Sequence, residues 1–179
     1  DEFEKINFPE EYFDLITFWH VLEHLLDPKS CLSKARSILN KNGLLVIEVP
    51  NIKSMQASIF KKHWFHIDAP RHYHHFSKDT LSELLHKSGF KIKKIHIGSL
   101  EYGVCSFLQS TLNLIGFDNN LLYTMSMKAS KETGKTTPVL KKIIMFATIP
   151  VFLLIGIIGA LTEWLFGRGD VIRIIAQKK

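Results

Sequence analysis

An alternation of strand-like and helix-like segments between residues 13 and 97 constrains the fold more than any other feature. Residues 13–19 and 44–49 are short runs rich in apolar, aromatic and β-branched side chains, which is typical of buried strands. Residues 90–97 form a third such run. Segments with helical spacing separate these runs, and the resulting order predicts a parallel α/β sheet.

Capping residues mark the predicted helix boundaries. Asp27 precedes Pro28, and an acidic N-cap followed by proline at the first helical position is a typical helix start. We expect this helix to end at Asn42-Gly43, where a residue can adopt a positive φ angle. Ser77 is predicted to cap the second helix, which Gly89 ends.

Charge and cysteine content narrow the class of protein. The chain carries 23 Lys and Arg against 17 Asp and Glu, a net charge of +6. This modest excess fits a membrane surface or a substrate phosphate at least as well as nucleic acid, so we expect no nucleic-acid partner. The two cysteines are too few for a disulfide scaffold, which favours a reducing compartment.

Ligands of parallel α/β sheets bind at the carboxyl ends of the strands. We therefore expect the functional site to follow residues 19 and 49. The segment 19–24 reads W-H-V-L-E-H, and five of the nine histidines lie within residues 63–76. Imidazoles are costly to bury without polar partners, so this density predicts a polar cleft.

Three blocks of sequence carry a resemblance to a known family. They are F-D-L-I-T-F-W-H-V-L-E-H-L-L-D-P (13–28), L-N-K-N-G-L-L-V-I-E-V-P-N (39–51) and D-A-P-R-H-Y-H-H-F-S-K-D-T-L-S-E-L-L-H-K-S-G-F (68–90). In this order and spacing they resemble the class I S-adenosylmethionine-dependent methyltransferases. The most similar branch is the bacterial group that includes the ubiquinone-biosynthesis O-methyltransferase.

The resemblance implies an α/β, Rossmann-like sheet of seven strands. This chain would supply its fourth strand (13–19), fifth strand (44–49), sixth strand (90–97) and antiparallel seventh strand (171–176), in the order 4-5-7-6. We expect a partial methyltransferase domain over residues 1–100 and a hydrophobic helical insertion over residues 101–166. Residues 167–179 would then return to the sheet.

One departure from the family concerns the cofactor loop. The family binds S-adenosylmethionine mainly through a G-x-G-x-G loop after its first strand, whereas the only G-x-G here is Gly167-Arg168-Gly169, before the last strand. We expect roughly a hundred residues to precede Asp1, as the missing first strands of such a sheet require. On this interpretation the chain is the carboxyl-terminal part of the enzyme. It would need the missing half for activity.

The resemblance also implies cofactor-binding residues. Trp19 and His20 would line the cofactor pocket near the methionine part, although His20 could instead hold a strand-to-helix turn. Residues 6–9 resemble a stretch that follows an acidic residue in the family. Asp1 or Glu2 would accordingly contact the adenine.

Glu23 and His24 are weak candidates for a metal site. Some relatives, including the ubiquinone O-methyltransferase and small-RNA 2′-O-methyltransferases, bind a divalent ion through E-x-x-E-H. Here His20 replaces the first acidic residue, which disfavours magnesium, and we predict no metal. The alternative is that the pair holds the turn together. H-x-x-E-H is also the inverted zinc-protease motif, a remote alternative because the motif straddles a strand end.

The histidine-rich loop is predicted to lie on the acceptor side. His74 or His75 could remove a proton from the acceptor, and Arg71 could pair with an acidic group or a phosphate. Trp64 could line the acceptor pocket. The alternative is that this loop packs on the sheet and that its aromatic residues belong to the core.

Residues 143–162 carry no charge over twenty positions, which is enough to cross a bilayer. We prefer a hairpin of helices near 104–127 and 139–166 whose apolar face enters the cytoplasmic leaflet, with Trp164 at the interface and the intervening lysines on anionic headgroups. This places the protein in the cytoplasm, peripherally at the inner face of the membrane. A helical lid, a dimer interface or a true span are the alternatives.

These features predict S-adenosylmethionine-dependent methyl transfer to a small or lipid-linked acceptor. The alternative from another class is a non-catalytic, membrane-associated partner subunit that lacks the cofactor loop.

Overall fold

The computed structural model describes residues 3, 6–117 and 139–179, and of residues 139–146 it describes the backbone only. Five α-helices, three short 3₁₀ turns and four strands are present in these residues. In chain order the α-helices and strands are β1 (Phe13–Trp19), α1 (Pro28–Ile38), β2 (Leu39–Pro50), α2 (Met55–Phe60), α3 (Lys78–Lys87), β3 (Phe90–Ile97), α4 (Leu100–Leu114), α5 (Val139–Leu165) and β4 (Val171–Lys178).

The four strands form one sheet in the order β1-β2-β4-β3. β1 and β2 are parallel, with Phe18 opposite Ile47. β4 is antiparallel to both of its neighbours, and Ile174 lies opposite Ile47 on one side and Ile95 on the other. This arrangement confirms the predicted order 4-5-7-6 and the antiparallel last strand.

The predicted helix starts are confirmed by their caps. The Asp27 carboxylate accepts hydrogen bonds from the backbone N–H groups of Lys29 and Ser30, each at 3.1 Å. Ser77 and Thr80 cap α3 reciprocally, since each side-chain oxygen accepts from the other residue's backbone N–H. Each pair of bonds satisfies N–H groups that a helix start leaves without intrahelical acceptors.

The predicted end of the first helix at Asn42-Gly43 is wrong. α1 ends at Ile38, and the next residue, Leu39, already belongs to β2 and is fully buried. Phe13 pairs with Leu39 and Leu15 with Leu44, so the residues between form an irregular bulge in the strand. Asn42 takes the positive φ angle, 68°, within that bulge. Burial of Leu39 in the sheet thus overrides the local helix-stop signal.

The chain divides into two compact units. The first comprises Asp1–Ile52, Ala69–Ile97 and Val171–Lys179, and the second comprises Lys53–Asp68 and Gly98–Asp170. The first unit is a sheet covered by α1 and α3. Its core includes Leu32, Ala35, Leu45, Ile47, Leu81 and Ile174.

In the second unit, α4 and α5 pack closely through small residues. A Cβ atom on Gly156 would lie 3.2 Å from the Val104 carbonyl oxygen, and one on Gly159 would lie 2.6 Å from the Phe107 ring. The sequence predicts the first helix of the hairpin near 104–127. α4 instead ends at Leu114, and residues 118–127 of that prediction lie outside the described residues.

Candidate functional site

The carboxyl end of β1 passes into a tight turn. His20 follows Trp19 with a φ angle of 52°, in the left-handed region, and its backbone N–H donates to the Glu48 carbonyl oxygen at 2.9 Å. A short 3₁₀ turn then covers Leu22–His24. The uncommon backbone of a non-glycine residue here is held by the neighbouring strand, as is frequent at functional sites.

The His20 ring lies between two buried carboxylates. Its Nδ1 is 3.2 Å from Glu23 Oε1, and its Nε2 is 3.5 Å from Glu48 Oε1. On the far side of Glu48, the Nε and Nη2 atoms of Arg173 each lie 2.7 Å from Oε2. Two basic and two acidic side chains therefore form one network, called the ion network below, that joins the end of β1 to β2 and β4.

The pKa values of His20 and Glu48 are shifted within this network. Burial by itself lowers the pKa of His20, but the hydrogen bonds to Glu23 and Glu48 outweigh it and raise the pKa to about 9. Burial raises the pKa of Glu48, yet the hydrogen bonds from His20 and Arg173 bring that pKa below its usual value. At neutral pH, His20 is therefore a cation and Glu48 an anion.

Trp19 is the aromatic residue at this strand end. Its side chain is 45% exposed, and the Arg173 guanidinium carbon lies 4.7 Å from the centre of its ring. This distance is within the range of a cation–π contact. Arg173 thus binds Glu48 and orients the Trp19 ring at the same time.

The histidine-rich loop is attached to the same turn. The backbone N–H groups of Tyr73 and His74 both donate to the Glu23 carbonyl oxygen, at 2.8 and 3.2 Å. His24 Nδ1 lies 3.0 Å from the Arg71 carbonyl oxygen, and the rings of His24 and His72 are 4.5 Å apart. The structure therefore brings together two segments that the sequence placed separately.

The two candidate bases both lie on this loop. His74 Nε2 is 3.4 Å from the Leu26 carbonyl oxygen. His75 is exposed, and its ring centre is 6.2 Å from that of His72. The role of either as a base stays a prediction.

Glu23, His24 and His72 offer ligand atoms that all lie within 4.8 Å of one another. One carboxylate and two imidazoles suit a borderline transition ion better than magnesium. However, Glu23 already binds His20 through Oε1. The geometry shows a hydrogen-bonded turn, and we assign no metal to it. The zinc-protease alternative needs His20 and His24 on one helix. Instead, His20 directly follows β1, and His24 ends a three-residue 3₁₀ turn.

The other candidate residues lie elsewhere or are not described. Trp64 is 1% exposed, which favours the alternative of a core residue, and it belongs to the second unit. Arg71 has an exposed side chain in the loop of the first unit. Asp1 and Glu2 lie outside the described residues.

Sequence reasoning missed Glu48, Arg173 and His72. Glu48 is the only charged residue in the strand segment L-L-V-I-E-V (44–49), and Arg173 is the only one in V-I-R-I-I-A (171–176). A lone charge in a buried strand needs a partner, and two such charges of opposite sign on adjacent strands were the available signal. His72 had no comparable signal, because only the fold brings it to His24.

Comparisons with known proteins identify the family of this chain. A family model described as a methyltransferase domain matches residues 1–95, just over half of the chain. The ubiquinone biosynthesis O-methyltransferase of Cereibacter sphaeroides is 33% identical over 85 residues. That match covers 44% of this chain and 34% of the relative, so the chain spans about a third of the curated relative's length.

Solved structures show the same fold. An S-adenosylmethionine-dependent methyltransferase of Thermotoga maritima, a possible histamine N-methyltransferase, has a TM-score of 0.54 at 18% identity, covering 98% of this chain and 61% of its own. Phosphoethanolamine N-methyltransferase 2 of Haemonchus contortus has a TM-score of 0.52 at 13% identity, covering 98% and 35%. The chain belongs to the methyltransferase domain family, and its sheet is the carboxyl-terminal part of the class I S-adenosylmethionine-dependent methyltransferase fold.

Proposed function

We propose that the full-length protein transfers a methyl group from S-adenosylmethionine to a small or lipid-linked acceptor. The observation that carries this proposal is the position of Trp19 and His20. They end a strand of the family's sheet on the edge where such sheets bind their ligands, within the region that the family model matches.

The residues at this edge fit the cofactor. S-adenosylmethionine supplies an electrophilic methyl group on a sulfonium centre. Trp19 offers an exposed aromatic face, which suits both an apolar ligand and a cation. Arg173 and the ion network fix that ring in one orientation, so binding would cost little side-chain entropy.

His20 has a positioning role in this proposal. Because its pKa is raised to about 9, it is already protonated at neutral pH and cannot accept a proton from the acceptor. It instead holds Glu23, whose carbonyl oxygen anchors the loop through Tyr73 and His74. That loop carries the two candidate bases, His74 and His75.

Methyl transfer needs donor and acceptor in line and water kept out. A base is needed only when the acceptor loses a proton. The relative from Cereibacter sphaeroides is by its name an O-methyltransferase of ubiquinone biosynthesis. This supports a hydroxyl group on an apolar molecule as the acceptor, for which a histidine base would be suitable.

The test is calorimetric titration of the full-length gene product with S-adenosylhomocysteine. We expect one binding site, and Trp19→Ala should weaken binding about tenfold or more because an aromatic contact is lost. Tyr12→Ala is the matched control, since Tyr12 is an exposed aromatic residue next to the amino end of β1. No binding heat from the unaltered protein would favour the non-catalytic partner subunit instead.

A further inference from the structure

The helix α5 presents a continuous apolar face to solvent. The stretch Ala147–Leu165 has a mean hydropathy of 1.9, and 22% of it is buried. Its length and composition would allow it to cross a membrane, although the core helices of soluble proteins can meet the same criteria. The low burial separates it from such a core helix. Exposed apolar residues follow one another at helical spacing: Val151, Leu154, Ile158, Leu161 and Leu165.

The opposite face of α5 packs inside the second unit. Gly156 and Gly159 lie against α4, as described above. Glu163 is the only charged residue between 147 and 165, and it is buried. Its two carboxylate oxygens accept from the backbone N–H and the side-chain amide of Gln56, each at 2.9 Å. The exposed face is therefore free of charge.

The ends of the insertion argue against a single crossing. A Cβ atom on Gly98 would lie 3.2 Å from the Cα atom of Gly169, so the chain enters and leaves this unit at one place. One crossing by α5 would need a second segment to return. α4 has 15 residues, about 22 Å of helix, which is too short for the bilayer core, and it contains Gln109 and Asn113. Residues 118–138 contain no uncharged run of comparable length.

Basic residues flank the apolar helix at both ends. Residues 128–142 contain five lysines and one glutamate, and Arg168 follows the helix. No acidic residue occurs from 133 to 162. At the carboxyl end, Arg168 is accompanied by the buried Glu163 and Asp170, so the positive charge is concentrated at the lysine-rich amino end. A second copy aligned in parallel would bring two lysine-rich ends together. Anionic lipid headgroups would instead complement that end, and their acyl chains would accept the apolar face.

Aromatic residues stand at the carboxyl end of the same helix. Trp164 is 69% exposed, and Phe166, just beyond the helix end, is also exposed. Tryptophan is enriched at the level of lipid headgroups because its ring is apolar and its N–H is polar. We propose that the exposed face of α5 docks on the surface of a membrane that contains anionic lipids, lying in the headgroup region without spanning the bilayer.

The proposal is tested by flotation of the full-length gene product with phosphatidylcholine vesicles, prepared with and without phosphatidylglycerol. We expect binding to be about tenfold tighter or more with the anionic lipid and to weaken as salt is raised. The double variant Leu154→Glu, Ile158→Glu should lose about tenfold or more of this binding, because it puts charge on the docking face. Leu26→Glu is the control, since Leu26 is 78% exposed but belongs to the first unit.

Three results would overturn the proposal. The unaltered protein could fail to bind vesicles of either composition, or the double variant could bind as the unaltered protein does. The protein could also remain in native membranes after they are washed with alkaline carbonate, which would indicate a membrane-spanning segment. Titration of the double variant with S-adenosylhomocysteine distinguishes a loss of membrane binding from a loss of the proposed methyltransferase function. A folded double variant should bind S-adenosylhomocysteine as the unaltered protein does.

Discussion

Nδ1 of His20 lies 3.2 Å from Oε1 of Glu23, a carboxylate that is 1% exposed. The pair closes the turn after β1, and the backbone of Glu23 holds the histidine-rich loop. A single protonated ring therefore connects the cofactor side of the proposed site to the loop with the candidate bases.

The first prediction concerns pH. The pKa of His20 is raised to about 9 in the folded chain from 6.5, so its contribution to stability is complete below about pH 6.5 and is lost as pH rises to about 9. The loss should amount to as much as about 3 kcal/mol. Chemical unfolding at pH 6 to 9.5 measures it. His20→Gln should flatten this slope, whereas His86→Gln, an exposed histidine on α3, should keep it.

The second prediction concerns Glu48. Its pKa is lowered in the folded chain, so its contribution is complete above the unfolded value near 4.5 and is lost as pH falls through the folded value. Glu48→Gln leaves two cations with one anion fewer, and we expect a loss of about 2 to 4 kcal/mol in the free energy of unfolding at pH 7. Glu83→Gln removes an exposed pair with Lys87, which solvent screens, and should have a clearly smaller effect. Equal losses in the free energy of unfolding for Glu48→Gln and Glu83→Gln would show that the buried ion network stabilises the fold no more than an exposed ion pair does.

The third prediction concerns the packing of α4 on α5. Gly159→Val should destabilise the second unit by about 1 to 3 kcal/mol, because the added side chain collides with the Phe107 ring. Ile158→Val changes the adjacent exposed residue and should stay within about 0.5 kcal/mol. Thermal unfolding of the two variants provides the comparison. If Gly159→Val left the stability unchanged, the close approach of α4 and α5 would not require glycine at this position.

The fourth prediction concerns the start of α1. Asp27→Ala removes the acceptor of two backbone N–H groups and should cost about 1 kcal/mol. Asp79→Ala removes an acidic residue from the first turn of α3 without removing its Ser77 cap, and should cost only about 0.3 to 0.5 kcal/mol. Chemical unfolding of both variants measures the difference, and a larger loss for Asp79→Ala would contradict the assignment of the cap.

The strands and caps could be predicted from the sequence because local chemistry specifies them. β1 and β3 have the bounds that the apolar runs indicated, and Asp27 and Ser77 accept the expected hydrogen bonds. The end of α1 could not be predicted in this way. Leu39 is drawn into the sheet by burial against distant residues, and no local signal carries that information.

The candidate site was predictable only in part, for the same physical reason. The sequence pointed to Trp19 and His20 through the strand end and the family resemblance. It did not indicate that Glu48 would lie between His20 and Arg173, because this arrangement depends on the fold and on the register of β2 against β4, where Glu48 and Arg173 lie opposite each other. Trp64 looked like a pocket residue from its histidine-rich surroundings, yet its indole is buried in the second unit.

The most direct measurement uses the three tryptophans of this chain as reporters. In fluorotryptophan-labelled full-length protein, single Trp→Phe variants would assign the ¹⁹F resonances of Trp19, Trp64 and Trp164. Titration with S-adenosylhomocysteine should shift the Trp19 resonance and leave that of buried Trp64 unchanged, because the proposed cofactor site lies at the carboxyl end of β1. A saturable shift of Trp64 with none at Trp19, or no shift at any tryptophan, would contradict the account.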